Sequence, residues 1–228
     1  MNRKRLVRTA LVTGGTLVIA LVVGIFLGSL QPQHASATSP FTYWYDTDGL
    51  YSGESELAVL PVDHDDWDDY ITLNESRLDG WLISPPSSSY LDGKYVMVTF
   101  ESPVTVSEYD ELIDPLLAGD DGRIDMYTAV GEDENEDFIE EQGFEAPYEE
   151  LFDERNDPGG SGSVVDYTLE GIISTGVYLG DDVTVSDLDA LRDEAGVYLV
   201  DTTAIELMDV LTPIVSVLMD SPWHLLNW

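Results

Sequence analysis

The side chains able to do chemistry in this chain are overwhelmingly carboxylates. Asp and Glu number 45, against 9 Lys and Arg, three His and no Cys. Zero cysteine excludes a disulfide framework, a thiolate metal site and a cysteine nucleophile. One dense run, which also holds a histidine, is Asp63-His64-Asp65-Asp66-Trp67-Asp68-Asp69. Asp63, His64, Asp65 and Asp66 are the candidate ligands for a hard cation, Ca²⁺ or Mg²⁺, which prefers oxygen donors. No calcium-loop spacing with its glycine surrounds them. Asp46-Thr47-Asp48-Gly49 is only a fragment of that pattern, with Ser55 where the bidentate Glu belongs. The competing reading is a solvated acidic turn.

A serine hydrolase needs a histidine base. The histidines are His34, His64 and His224; no G-x-S-x-G occurs, and Gly160-Ser161-Gly162 sits in a linker. His34 reads as a solvated stalk residue and His224 as a tail residue. No glycine-rich strand-to-helix loop or P-loop is present, so no cofactor is expected. An enzyme working with carboxylates alone, such as a glycosidase, stays open. With 45 acids, however, no pair stands out from the background. Asn74-Glu75-Ser76 is an N-glycosylation sequon, with Asn74 the acceptor if the segment is exported and exposed.

Charge describes the medium better than the reaction. The formal balance is 9 − 45 = −36. Arg3, Lys4, Arg5 and Arg8 lie in the first eight positions without an acid, so the remainder carries 5 − 45 = −40. That density excludes nucleic acid as a partner, because phosphate binding needs a basic face. The acids are spread along the chain, and aromatics make up 10% of it. A polyanionic tail would instead be a low-complexity block. The pattern resembles proteins of salt-in halophiles, halophilic archaea above all. At molar salt the Debye length falls to about 3 Å and self-repulsion is screened.

These residues must be positioned by elements. Residues 9–30, TALVTGGTLVIALVVGIFLGSL, carry no charge. As a helix they span about 33 Å, against a hydrocarbon core of about 30 Å. With the basic cluster held inside, the spacing predicts a signal-anchor over 1–30, with the rest of the chain extracellular. Ala35-Ser36-Ala37 also fits a cleavage site after Ala37, so the alternative is a removed secretory signal. Gly24 and Gly28 form a GxxxG face through which two such helices would dimerise. Residues 31–40, QPQHASATSP, read as a stalk.

Residues 41–228 read as an acidic α+β domain, antiparallel or mixed in its sheet, with packed helices. A subdomain break or a long exposed loop is expected at 156–163, where DPGGSGS interrupts the pattern. Strands are expected at 41–45, 56–62, 70–73, 81–84, 94–100, 123–130, 164–179 and 197–201. Helices are expected after Ser107, with Asp110 completing its cap, and after Ser186 with Asp189. Within 132–154, which hold twelve acids, Phe144, Tyr148, Leu151 and Phe152 keep helical spacing. Residues 204–219 read as a final apolar helix burying Ile205, Leu207, Met208, Leu211, Val215 and Leu218.

VTVSEYDEL at 104–112 parallels VTVSDLDAL at 183–191. Each follows an expected strand and precedes another. Two strand–helix–strand units would give a duplicated, ferredoxin-like arrangement; similar caps on unrelated helices are the alternative. With one anchor, a stalk and eight residues inside, the leading expectation is an anchored envelope protein acting by protein–protein contact. A halophilic hydrolase and an extracytoplasmic cation-binding sensor are the alternatives.

Overall fold

The computed structural model describes residues 41–46, 56–61, 67–87, 90–133, 138–144, 146–152, 155–157, 165–211 and 216–219. Residues 1–40, with the expected anchor, Gly24, Gly28 and the expected stalk, and residues 62–66, 158–164 and 220–228 lie outside them. The strands are β1 (Phe41–Asp46), β2 (Glu56–Pro61), β3 (Tyr95–Val104), β4 (Arg123–Asp133), β5 (Phe138–Gly143), β6 (Arg155–Asp157), β7 (Val165–Tyr178), β8 (Val197–Asp201) and β9 (Ser216–Met219). The helices are α1 (Trp67–Ile83), α2 (Val106–Ile113), α3 (Val185–Arg192) and α4 (Thr203–Val210). No helix among the described residues is long and apolar enough to cross a membrane.

The domain is α+β. Its main sheet runs β5-β4-β7-β3-β8, with β6 also paired to β7. Strands β3 and β4 both pair antiparallel with β7, so they are parallel to each other with β7 between them. Strands β7 and β8 both pair antiparallel with β3, so β3 separates them in turn. Two strand–helix–strand units, β3-α2-β4 and β7-α3-β8, are therefore interleaved. A smaller sheet, β1-β2-β9, lies beside them.

Alternation along β3 sends Val96, Val98 and Phe100 to one face, where they pack with Tyr109 and Ile113 of α2 and Leu188 and Leu191 of α3. Tyr95 and Met97 go to the other face, against Leu57 and Val59 of β2, Val217 and Met219 of β9, and Ala204 and Met208 of α4. Both faces are dry, which is why KYVMVTF reads as a near-continuous apolar run. Each large side chain buried there contributes about 1.5–3 kcal/mol. Tyr95 fits only because Gly176 faces it: a Cβ on Gly176 would come within 1.8 Å of the Tyr95 hydroxyl.

Four local expectations are corrected. Residues 70–73 and 81–83 are not strands but belong to α1, whose inward residues Trp67, Tyr70, Asn74, Arg77 and Leu78 recur at helical spacing. The helix caps lie two residues earlier than Ser107 and Ser186, at Thr105 and Thr184. The earlier start brings Val106 and Val185 into buried positions. The described residues within 132–154 belong to the paired strands β4 and β5 and to a 3-10 turn, Glu149–Phe152, in place of a helix. Leu151 is buried there, while Phe144 and Tyr148 are exposed. Finally, α4 stops at Val210 and the chain returns as β9, parallel to β2. Ile205 and Met208 are buried as expected, Ile205 with the α2–α3 cluster and Met208 in the cluster on the other face, against which Leu207 and Leu211 also pack; Val215 and the Leu218 side chain lie outside what is described.

Candidate docking grooves and the joint that positions them

Helix α1 is fastened to the second unit through a buried polar joint. Asn74 is 0% exposed. Its Oδ1 accepts from Arg77 Nη1 (2.8 Å), Thr202 N (2.9 Å) and Thr202 Oγ1 (3.1 Å), and its Nδ2 donates to Tyr70 O (3.3 Å). The Tyr70 hydroxyl donates to Asp201 Oδ2 at 2.5 Å, and the Thr203 amide donates to Asp201 Oδ1 at 2.9 Å. Arg77 Nε pairs with Glu206 at 3.0 Å. Burial raises the Asp201 carboxyl above its usual range, against the lowering pull of the Tyr70 and Thr203 hydrogen bonds. The Tyr70 phenol is raised well above its usual value, first by burial and then by the Asp201 charge. Tyr70 therefore stays a neutral donor. Nearer its end, α1 is tied to α3 by Asp79, whose Oδ1 accepts from Arg192 Nη1 at 2.8 Å. Arg192 also pairs with Asp189.

Asn74, the expected acceptor of the sequon, is thus placed in the core. The sequon is present, but in the folded chain its amide lies in the core with its atoms committed to neighbours. A glycan needs the amide at the surface. Asp68 and Asp69 are exposed in the first turn of α1, where the helix dipole favours acids. Asp63, His64, Asp65 and Asp66, like Gly24 and Gly28, lie outside the described residues. Among the described residues no three His, Asp or Glu side chains converge as a metal-holding group.

Two grooves flank α3. The larger, about 610 Å³, lies between α2 and α3, over the irregular Ser102–Val104 end of β3. Its rim carries Glu108, Glu111, Asp187 and Glu194. Two of these also cap their helices. Glu108 Oε2 accepts from Thr105 N (2.9 Å) and Oγ1 (2.8 Å). Asp187 Oδ2 accepts from Thr184 N (2.8 Å) and Oγ1 (2.6 Å). The Thr105 amide, and then its hydroxyl, hold the Glu108 carboxyl below its usual value. No nucleophile–base pair lines this groove.

The smaller groove, about 280 Å³, runs between the end of α1 and the start of α3. Its lining is Trp81, Leu82, Pro85, Pro86, Ser87, Leu91, Val183, Thr184, Val185 and Ser186. None is ionisable, although 24% of the chain is charged. Leu82 is 39% exposed and Ile83, next to it, 86%. The arrangement offers apolar contact, not proton transfer. Sequence reasoning missed it because WLISPPS at 81–87 reads as strand then loop. The signal was there in the run of uncharged residues, which stands out in so acidic a chain. No family model, no curated protein and no solved structure matches the chain.

Proposed function

We propose that this chain is a membrane-anchored, extracellular accessory module of a halophile cell envelope, acting by protein–protein contact. The carrying observation is the uncharged groove with Leu82 and Ile83 at its edge. In molar salt, covering apolar surface gains from salting-out, whereas hydrated carboxylates resist being covered. An uncharged recess on an acidic surface is thus the place where contact is favourable. The interleaved β3-α2-β4 and β7-α3-β8 units, with their matched Thr–acid caps, support reading the core as a duplicated, ferredoxin-like frame. Residues 1–30 supply the anchor in this reading, and Gly24 with Gly28 a route to a homodimer.

The test is the size of the native assembly. Full-length chain released from its own membranes in mild detergent and molar KCl should sediment above the mass of two 25.2 kDa chains. Ile83→Glu should reduce that to a dimer or monomer without shifting the melting temperature. A chain that sediments as monomer or dimer before any substitution would contradict the proposal.

A further inference from the structure

We infer that the main sheet carries a site for one ordered water on the face packed against β1-β2-β9, held between the Tyr95 hydroxyl and the Asp125 carboxyl. Two observations carry it. The first is an orphaned donor. Tyr95 is 0% exposed, and its Oη has no hydrogen-bond partner. The neighbouring phenol, Tyr178, packs edge-on against the Tyr95 ring at 5.1 Å and accepts from the Val217 amide. A buried hydroxyl left unpaired destabilises a fold, and water bridges such groups where no protein atom reaches them. Burial, and then the Asp125 charge, push the Tyr95 phenol well above its ordinary value, so it stays protonated and able to donate.

The second is a bulge. Ile124 pairs with Val177 and Met126 with Gly176, so the β4 register slips and Asp125 is the extra residue between them. Ile124 packs with the α2–α3 cluster and Met126 with the cluster on the opposite face. The slip thus sets an acid on β4 beside Gly176, the residue over which the Tyr95 hydroxyl lies. The Asp125 charge bears on both phenols, as expected of a carboxyl on their side of the sheet. Bulges serve to re-aim a side chain in this way.

The occupant has to accept from Tyr95 and donate to Asp125. Water does both, and main-chain groups that the bulge leaves outside the ladder supply its third partner. Arg123 opposes a cation: its guanidinium lies 3.9 Å from the Tyr178 ring centre, and its charge already favours the ionised form of Asp125. Asp125 itself opposes an anion. Asp125 is half-buried and Arg123 exposed, so the β4 side of the site is open to solvent.

Crystals of the full chain in detergent, grown in molar RbCl, test the site directly. A water within hydrogen-bond distance of both Tyr95 Oη and an Asp125 carboxyl oxygen is the expected result. A rubidium anomalous peak there, a direct Tyr95–Asp125 hydrogen bond, or no density beside the Tyr95 hydroxyl would each overturn the inference. The energetic test is Tyr95→Phe in molar KCl, read by urea unfolding. Losing a bridged hydroxyl should raise the unfolding constant several-fold. In an Asp125→Ala background the same substitution should leave that constant unchanged, because the bridge is already broken. A Tyr95→Phe chain as stable as the native one, or an equal loss in both backgrounds, would overturn the bridge. If Asp125→Ala does not fold, the crystal and the single Tyr95→Phe variant decide.

Discussion

The two grooves on either side of α3 differ in what they do with salt water. The larger is rimmed by four carboxylates, two of them committed to helix caps. Such a rim keeps its water at any ionic strength, since burying an unpaired carboxylate is costly. The smaller has no ionisable lining at all and gains by being covered. Volume therefore ranks the grooves in one order and chemistry in the other. The walls differ as well. The acidic groove lies between α2 and α3, one from each strand–helix–strand unit. The uncharged groove needs α1, which belongs to neither unit and is held by Asn74, Arg77, Asp201 and Arg192.

That asymmetry is open to attack. The largest effect is expected from Asn74→Ala, which leaves the Arg77 guanidinium and the Thr202 amide without their buried acceptor. A loss of about 3 kcal/mol is expected, measured by urea unfolding in molar KCl. The uncharged groove should open with it, while α2 and α3 keep their packing. A loss below about 1 kcal/mol would mean that α1 is held by apolar contact alone.

The next effect is a slope in pH. Asp201 is raised in the folded chain, so its favourable contribution is full below the unfolded value near 3.8 and is lost as pH rises through the folded value. Relative to Asp201→Asn, the native chain should therefore lose stability on going from acid toward neutral pH. Working in molar salt keeps the other acids screened. Parallel curves for the two proteins would show that Asp201 carries no linkage.

Smaller still, Thr105→Ala and Thr184→Ala should each cost about 1 kcal/mol and agree within a few tenths. A large difference between them would argue against matched units. The smallest effect belongs to Arg192→Leu. Its partner Asp79 is exposed, so the loss should be about 0.5 kcal/mol at 0.1 M salt and negligible at 3 M. Thermal unfolding at the two salt concentrations reads it directly.

Sequence made the central strands of the main sheet, β3, β4, β7 and β8, legible because their β-branched and aromatic runs are strong, as in KYVMVTF and VVDYTLEGIISTGVYL. The same holds for the repeated VTVS segments, although each contains two overlapping cap patterns and the structure uses the first. Helix α1 was hidden because two of its five buried positions are Asn74 and Arg77. An apolar stripe interrupted by an amide and a guanidinium does not register as a stripe. β5 was hidden by Glu140 and Glu141 on an edge strand, where acids are tolerated. β9 was mistaken for helix because Val210 to Met219 carries no charge and is mostly apolar, yet Pro213 already marked the break. The candidate site was less legible than the fold. It is defined by the absence of charge in residues 81–87 and 183–186, which only the tertiary packing brings together.

The most direct measurement compares the two grooves in their native setting. A photo-reactive residue is placed at Ile83, beside the uncharged groove, or at Glu111, on the acidic rim, of the full chain in its own membranes at molar KCl. Discrete protein adducts from position 83, and none above background from position 111, are the predicted result. Adducts from position 111 alone, equal adducts from both, or none from either would contradict the account.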